Sequence, residues 1–562
     1  MTVFNSTTSS TQPSGDLTIS LHRARTGDFY AVAGSLRLHS SYDPLAEAER
    51  FVRTRLHGRT PSTVILLGDT LPYVRRTLQT AAATARRVLV FYHPLFYEAW
   101  LQETARAPAA HNEVGFPGFA GRDAALQAFL DEQLTERETE GILVLEWPQS
   151  AAAFPDLSQR INRALAGKIR EVSASIATSV GFSRLWVRNA LKNYLSMRTV
   201  TTLPATPLPV VVAASGPSLR RALPHLQALR RSHYLIALPS SLSALLDAGL
   251  APDLVVATDP GFWARPHLAP LWDFPDLPIA MPLTSAPSPE REHLRIALFT
   301  EDSFVERELL TSWSNNFPTL LPGGTVASTA LSIAEHVSDR PPIFAGLDLA
   351  FQDIREHVSP HAFEPYLALA SSRLRPYYSL SARRALDQAA DQGPSGDSGE
   401  HRLSSPRAFR TYGEWLNQIA ARRSVYRLLP EGRRIHGLVE LTADGFARLL
   451  GDDSHRQSDV RRPVSLPLPS TDARRAHARK RLVNWRTIVE DAGRAASRDD
   501  RIRAVLRDPR LTEVLWALAP QAYLRLRRSQ REDSEARTSE VFRETASEVS
   551  RFVSSLEARY LR

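Results

Sequence analysis

A chain of 562 residues is too long for one core at roughly 100–200 residues per domain, so several domains are expected. Its net charge of +9 is carried almost wholly by arginine, with lysine only at Lys168, Lys192 and Lys480. The arginines are interleaved with Asp and Glu rather than clustered among aromatics, which argues against a nucleic-acid partner. With no cysteine, disulfides, cysteine nucleophiles and thiolate metal sites are excluded; with no apolar run near the ~18 residues of a membrane span and no signal-like leader, a soluble cytoplasmic protein is expected.

A polar leader, 1–16, is followed by a short hairpin-like stretch, Leu17–Leu38. Asp43-Pro44 opens a helix with Leu45, Ala48 and Phe51 predicted inward and Glu47, Glu49 and Arg50 outward. Strands are predicted in Ser62–Val74, Arg86–Pro94 and Gly141–Pro148, a first α/β unit. From Leu157 to Met197 the pattern is helical, with Leu185, Trp186, Ala190 and Leu191 as its predicted buried face.

The stretch Leu208–Pro260 organises the centre. LPVVVAA (Leu208–Ala214) is the unbroken apolar run of a strand buried on both faces. It stops at Ser215-Gly216-Pro217-Ser218, where Gly216 permits a sharp turn, Pro217 suits a first helical turn, and Ser215 or Ser218 can cap the helix that follows, leaving amides for an anion. Two further strands place Asp259 just past the end of the third. The unit continues through Leu277–Leu283, Arg295–Asp302, a Gly-Gly turn at which Thr325 would cap a helix, and Pro341–Phe351.

These elements predict an α/β fold: a Rossmann-like parallel-sheet central domain, an added N-terminal α/β domain and a helical C-terminal region. The expected divisions are 17–200 (N-terminal α/β domain ending in helices), 201–385 (Rossmann-like domain for a nucleotide-linked ligand), 386–406 (flexible loop), 407–460 (continuation of the central domain), 461–475 (linker) and 476–562 (helical C-terminal region). The tail's last helix repeats Phe542, Val549, Phe552, Val553, Leu556 and Tyr560 at helical spacing, an apolar stripe for self-packing or for a protein partner.

A dinucleotide site does not fit, since the turn has one glycine and the second strand ends at Leu238-Pro239-Ser240 with no acid for a ribose; a GxxxxGK[ST] loop is absent. No metal site is expected: Asp-x-Asp is missing at the strand ends, and Asp452-Asp453 sits in a polar loop.

VVAASGPSL, LLDAGLAPDLVVATDP, GGTVASTALSIAEHV and IFAGLDLAFQDIREH, in that order, resemble the motility accessory factor family of flagellin glycosyltransferases. So do LHSSYDPLAEAERFV, VILLGDTLPYV and the stretch holding Trp186, Asn189 and Asn193 upstream. The central domain is also similar to bacterial sialyltransferases and to archaeal 6-hydroxymethylpterin diphosphokinases. The chain departs from the family at Gly346-Leu347-Asp348-Leu349, where Gly-Gln-Asp-Leu is common, and at Asp69-Thr70 in place of glycines. The resemblance implies transfer of a nonulosonic acid, such as pseudaminic or legionaminic acid, from its CMP conjugate to Ser/Thr of flagellin, with no further cofactor. Helix starts at Ser215, Gly216, Pro217 and Ser218 and at Gly324, Thr325 and Ser328 would then meet the phosphate without a metal. Asp259 is a helix cap or a donor contact, and Asp348 a cap or a sugar or ribose contact. His357 is the candidate acceptor base and His361 its competitor. The runner-up is a pterin-type diphosphokinase using ATP and Mg²⁺; a third reading is a non-catalytic flagellar assembly factor. Oligomeric state stays open.

Overall fold

The protein was analysed as a computed structural model that describes residues 17–561 apart from 107–111, 121–122, 136–140, 287–294, 314–316, 321–323, 353, 389–402, 405–411, 414–415, 417–423, 433, 436, 452–462, 499–507 and 530–534. The polar leader, nearly all of the loop read at 386–406 and Asp452-Asp453 lie outside the described residues. The chain divides into two compact units, one formed by Met1–Gly181, Ala496–Val505 and Pro520–Thr545, the other by Phe182–Ala495, Leu506–Ala519 and Ala546–Arg562.

In the first unit β1 (Ile19–Arg23), β2 (Phe29–Ala33) and β3 (Leu36–Arg37) form an antiparallel sheet. A parallel sheet follows, made of β4 (Thr63–Asp69), β5 (Arg86–Phe91), β6 (Glu113–Pro117) and β7 (Ile142–Glu146) in the order β6-β5-β4-β7. β6 is the strand that periodicity missed, since all five of its residues are only half-buried. Asp43 caps the helix Pro44–Leu56 by accepting the Ala46 amide at 2.8 Å. Its buried face is Pro44, Ala48, Val52 and Leu56, a strict i, i+4 row, and Leu45 is exposed, contrary to the predicted face. Asp69, at the end of β4, is buried against Arg75 at 2.9 Å; burial pushes its carboxyl up to about 6 and Arg75 opposes that.

Among the described residues the main sheet of the second unit has ten strands: β8 (Val200–Thr201), β9 (Val210–Ala213), β10 (Tyr234–Ala237), β11 (Leu254–Val256), β12 (Ile279–Met281), β13 (Ile296–Leu298), β14 (Ile343–Ala345), β17 (Tyr426–Leu428), β18 (Val439–Leu441) and β19 (Ser465–Leu466). Their order is β18-β17-β14-β9-β10-β11-β12-β13-β8-β19, every pairing parallel except β19 with β8. β15 (Phe351–Gln352) and β16 (Leu403–Ser404) pair separately. β9 is wholly buried at all four positions, as its Val-rich run requires. The stretch read as a linker at 461–475 contributes β19 to the sheet edge and, from Thr471, a long helix.

The helix Pro155–Ser196 enters this unit with Val187, Ala190, Leu191 and Tyr194 buried, whereas Leu185 and Trp186 are half-buried, a correction of the predicted face. Asn189 donates to the Pro260 and Thr284 carbonyls at 3.0 and 3.1 Å, and Asn193 to those of Leu283 and Ser285 at 2.7 and 3.1 Å. Two amides thus satisfy four loop carbonyls and fix the loops after β11 and β12. In the C-terminal helix Val549, Phe552, Val553 and Leu556 are buried, and Arg184 and Arg188 stack over Phe552 at 5.0 and 5.3 Å. Most of that stripe packs within the chain, and Tyr560 at its end is half-buried.

Candidate active site at the sheet's switch point

β9 leads to β10 on one side, and the chain later returns to lay β14 on the other, so the loops after β9 and β14 leave the sheet at the point where strand order reverses. Open parallel sheets place ligands at such a point. A pocket of about 200 Å³ lies there, walled by Ser215, Thr325, Ala327, Asp348, His357 and Tyr412 among others.

The two loops cross at van der Waals distance. The Gly216 amide donates to the Gly346 carbonyl at 2.7 Å. A Cβ on Gly216 would stand 2.5 Å from both that oxygen and Asp348 Oδ2, and one on Gly346, whose φ is +72°, would stand 2.5 Å from the Ala214 carbonyl. Only glycine permits this crossing.

Asp348 closes it. The Ser218 amide and hydroxyl donate to its two carboxylate oxygens at 2.8 and 2.5 Å. Of the two residues read as caps for the helix Leu219–Ala228, Ser215 or Ser218, it is Ser218 that occupies the cap position, but its side chain makes no cap bond and donates to Asp348 instead. The anion that the helix start attracts is therefore internal, a carboxylate supplied by the neighbouring strand end. Burial raises the Asp348 carboxyl above its ordinary range, while the Ser218 bonds and the nearby Arg427 hold it down. Arg427 is buried, donates to the Leu347 carbonyl at 2.7 Å, and was not singled out in the sequence. The turn Ser215-Gly216-Pro217-Ser218 is thus a wall of the pocket, and the amides of Gly216 and Ser218 read as a phosphate cradle are already spent.

The other helix start is open. Thr325 caps Val326–Val337: its hydroxyl accepts the Ser328 amide at 3.1 Å, and its own amide donates to Ser328 Oγ at 3.1 Å. Gly324 precedes it at φ +78°. Ser328 is fully buried and its hydroxyl is held by the Thr325 carbonyl, so it shapes the cap rather than facing the pocket. Val326 and Ala327 line the pocket, and amides in the first turn have no intrahelical acceptor. Among the described residues neither the Val326 nor the Ala327 amide has an acceptor, unlike the amides of Gly216 and Ser218.

His357 lies opposite, with Nδ1 3.1 Å from Ser215 Oγ. Its ring stacks on His361 at 4.1 Å and 11°, and His361 meets His267 at 4.9 Å. Burial, then the positive charge of Arg384 and the neighbouring His267, push the His357 imidazole well below 6.5, and His361 is lowered by burial and by the same neighbours. Glu356, which also lines the pocket and was missed in the sequence, stands 3.7 Å from His357 Nε2 and is paired with Arg384 at 2.9 Å. The downward shift favours the neutral imidazole of His357, the form that can accept a proton.

Asp259 is exposed and outside the pocket lining; its Oδ1 accepts the Gly261 amide at 2.7 Å, a local turn. Of the sequence-predicted residues, Ser215, Gly216, Thr325, Asp348 and His357 line the pocket together, Ser218 and Ser328 bond to Asp348 and Thr325, and Pro217, Gly324 and Asp259 are outside the lining, Asp259 near enough to His267 to act on its charge.

Residues 187–354 match the family model described as 6-hydroxymethylpterin diphosphokinase MptE-like. The fold is similar to that of a MAf glycosyltransferase from Magnetospirillum magneticum AMB-1, with a TM-score of 0.61, 14% identity, and coverage of 96% of this chain and 92% of that one. Two uncharacterised proteins of Treponema pallidum (strain Nichols) are 26% and 27% identical over 246 and 242 residues, 43% and 37% of this chain. Those matches span 54% and 60% of the relatives' own lengths. The resemblance read from the motifs thus holds for fold along nearly the whole chain.

Proposed function

We propose that the protein is a glycosyltransferase that moves a nonulosonic sugar from a CMP-activated donor to Ser or Thr of flagellin in the cytoplasm. The observation that carries the reading is the pairing of an open helix start at Thr325–Ala327 with the neutral His357 across one small pocket, on a fold shared with a MAf glycosyltransferase. In the reaction the bond between the sugar's anomeric carbon and the phosphate oxygen breaks, and CMP leaves with the electron pair. The acceptor hydroxyl oxygen forms the new bond to that carbon and gives its proton to His357. The amides of Val326 and Ala327 stabilise the charge that gathers on phosphate, and the Thr325 hydroxyl, engaged with Ser328, holds that helix start in place. Ser215 orients the imidazole, and Asp348 fixes the Ser215–Ser218 wall, a positioning rather than a catalytic part.

The second reading, a pterin diphosphokinase, draws on the family model that covers the central 187–354. One assay separates the two. Incubated with flagellin monomer and CMP-pseudaminic or CMP-legionaminic acid, the protein should add one nonulosonate mass per modified Ser or Thr in the intact-mass spectrum. No mass gain with either donor, together with Mg²⁺-dependent AMP release from ATP and 6-hydroxymethylpterin, would replace the first reading by the second.

A further inference from the structure

We infer that the basic, apolar helical hairpin following His357 is the docking surface for the acceptor polypeptide, and that it grips an acidic, apolar segment of that polypeptide. The inference rests on the glycosyltransferase reading for the identity of the acceptor.

The hairpin consists of the helices Glu364–Ala370 and Tyr377–Gln388, packed against each other. Glu364–Ala370 has the apolar sequence EPYLALA yet buries none of its residues. Leu369 is 85% exposed, Leu374 92%, Tyr378 72% and Leu386 67%. Such a concentration of large apolar side chains on a surface marks an interaction site rather than solvated chain. The tip is rigid: the amides and carbonyls of Ser372 and Arg375 bond reciprocally at 2.9 and 3.0 Å, and this turn presents Arg373 and Leu374. A preorganised apolar ledge loses little freedom on binding.

Charge selects the partner. The hairpin Glu364–Gln388 holds four arginines, Arg373, Arg375, Arg383 and Arg384, against Glu364 and Asp387, and Arg384 is paired with Glu356, so the basic character sits at the tip, on the exposed Arg373 and Arg375. Arginine and aromatic side chains are what protein interfaces enrich, and a basic tip calls for the opposite sign on the segment it meets.

Continuity with the pocket points to the acceptor. Rings run from the surface to the candidate base: Phe262 on Trp263 at 5.4 Å, Trp263 on Phe363 at 5.4 Å and on Tyr366 at 5.6 Å, Phe363 on His361 at 5.2 Å, and His361 on His357 at 4.1 Å. Phe262 and Trp263 are 62% and 53% exposed and come from the loop after β11. The ledge therefore joins two strand-end loops and ends at the group that would take the acceptor's proton. A lipid surface would have no reason to be led there.

The test uses the full chain with Leu369→Glu/Leu374→Glu in one variant and Arg373→Glu/Arg375→Glu in another, all surface positions. Binding of flagellin monomer to immobilised protein without donor should weaken at least about tenfold in both, more steeply with salt in the wild type than in the arginine variant. KM for flagellin should rise with it, while acceptor-independent hydrolysis of the CMP donor and the melting temperature stay as in wild type. If no donor is turned over but flagellin binding still depends on the hairpin, the sugar reading fails and the docking surface stands. Wild-type flagellin binding by both variants would overturn the inference. So would hairpin-dependent sedimentation with phosphatidylglycerol vesicles while flagellin binding is unchanged, which would make the ledge a membrane contact.

Discussion

Replacing His357 by alanine is expected to lower transfer to flagellin by ~10²–10⁴-fold, the usual contribution of a general base, while CMP binding persists. The ring bonds to Ser215 Oγ and lines the pocket with no bond to the Thr325 helix start, so its loss removes the proton acceptor and leaves the phosphate amides in place. The pH profile carries the same assignment. The His357 pKa is pushed down by burial, so the imidazole stays neutral through the range in which an ordinary histidine ionises, and the acid limb of kcat/KM should fall below pH 6.5. The sign of the stability effect follows. A histidine with a lowered folded pKa favours the fold above 6.5, and that contribution is lost as pH falls from 6.5 towards the folded value; His267, His357 and His361 all act in this direction. His361→Ala should raise the acid limb, because it removes the ring that helps keep His357 dry and uncharged. Wild-type turnover in His357→Ala with loss in His361→Ala would move the base one ring along. Wild-type turnover in both would abandon a histidine base and turn attention to Glu356, since Asp348 is engaged by Ser218 and Asp259 lies outside the pocket.

Gly216→Ala should be the most disruptive single-methyl change in the site. The new Cβ would meet the Gly346 carbonyl and the Asp348 carboxylate, each at 2.5 Å, and the first is backbone of a central strand's exit loop that cannot swing away. The cost should exceed the ~1–3 kcal/mol typical of overpacking, read as a lowered denaturant midpoint with loss of CMP binding. Gly324→Ala is the control: φ is +78° but no atom lies within 4 Å of its Cβ, so only the ~1–2 kcal/mol of left-handed strain applies. Asp348→Ala in the Gly216→Ala background should restore part of the loss, because it clears one of the two clashes and not the other. If Gly216→Ala were no worse than Gly324→Ala, the crossing of the two loops would not be as described.

Much of this was legible in the residues, and the exceptions have physical causes. β9, β10 and β11 declared themselves because strands buried on both faces are continuous apolar runs, and the Thr325 cap because its partner Ser328 is three residues away. The fate of the Ser215–Ser218 turn was not legible. Whether its amides greet a ligand or Asp348 depends on residues 130 positions apart in sequence, brought together only by β9 lying beside β14. Arg427 and Glu356 escaped notice for the same reason: a charged residue in an arginine-rich chain carries no periodicity that marks it as buried. Asp259 illustrates a second limit, since a strand-end Asp-Pro reads alike whether its carboxylate only ties its own turn, as the bond to the Gly261 amide does, or also meets a donor.

The central claim is a pocket for a single nucleotide phosphate at the Thr325 helix start, and ligand-induced change in melting temperature tests it most directly. CMP without Mg²⁺ should raise the melting temperature, ATP with Mg²⁺ should not, and Ala327→Asp, which sets a carboxylate among the pocket amides, should erase the CMP shift. Magnesium-dependent stabilisation by ATP with no response to CMP, or a CMP shift that survives Ala327→Asp undiminished, would contradict it.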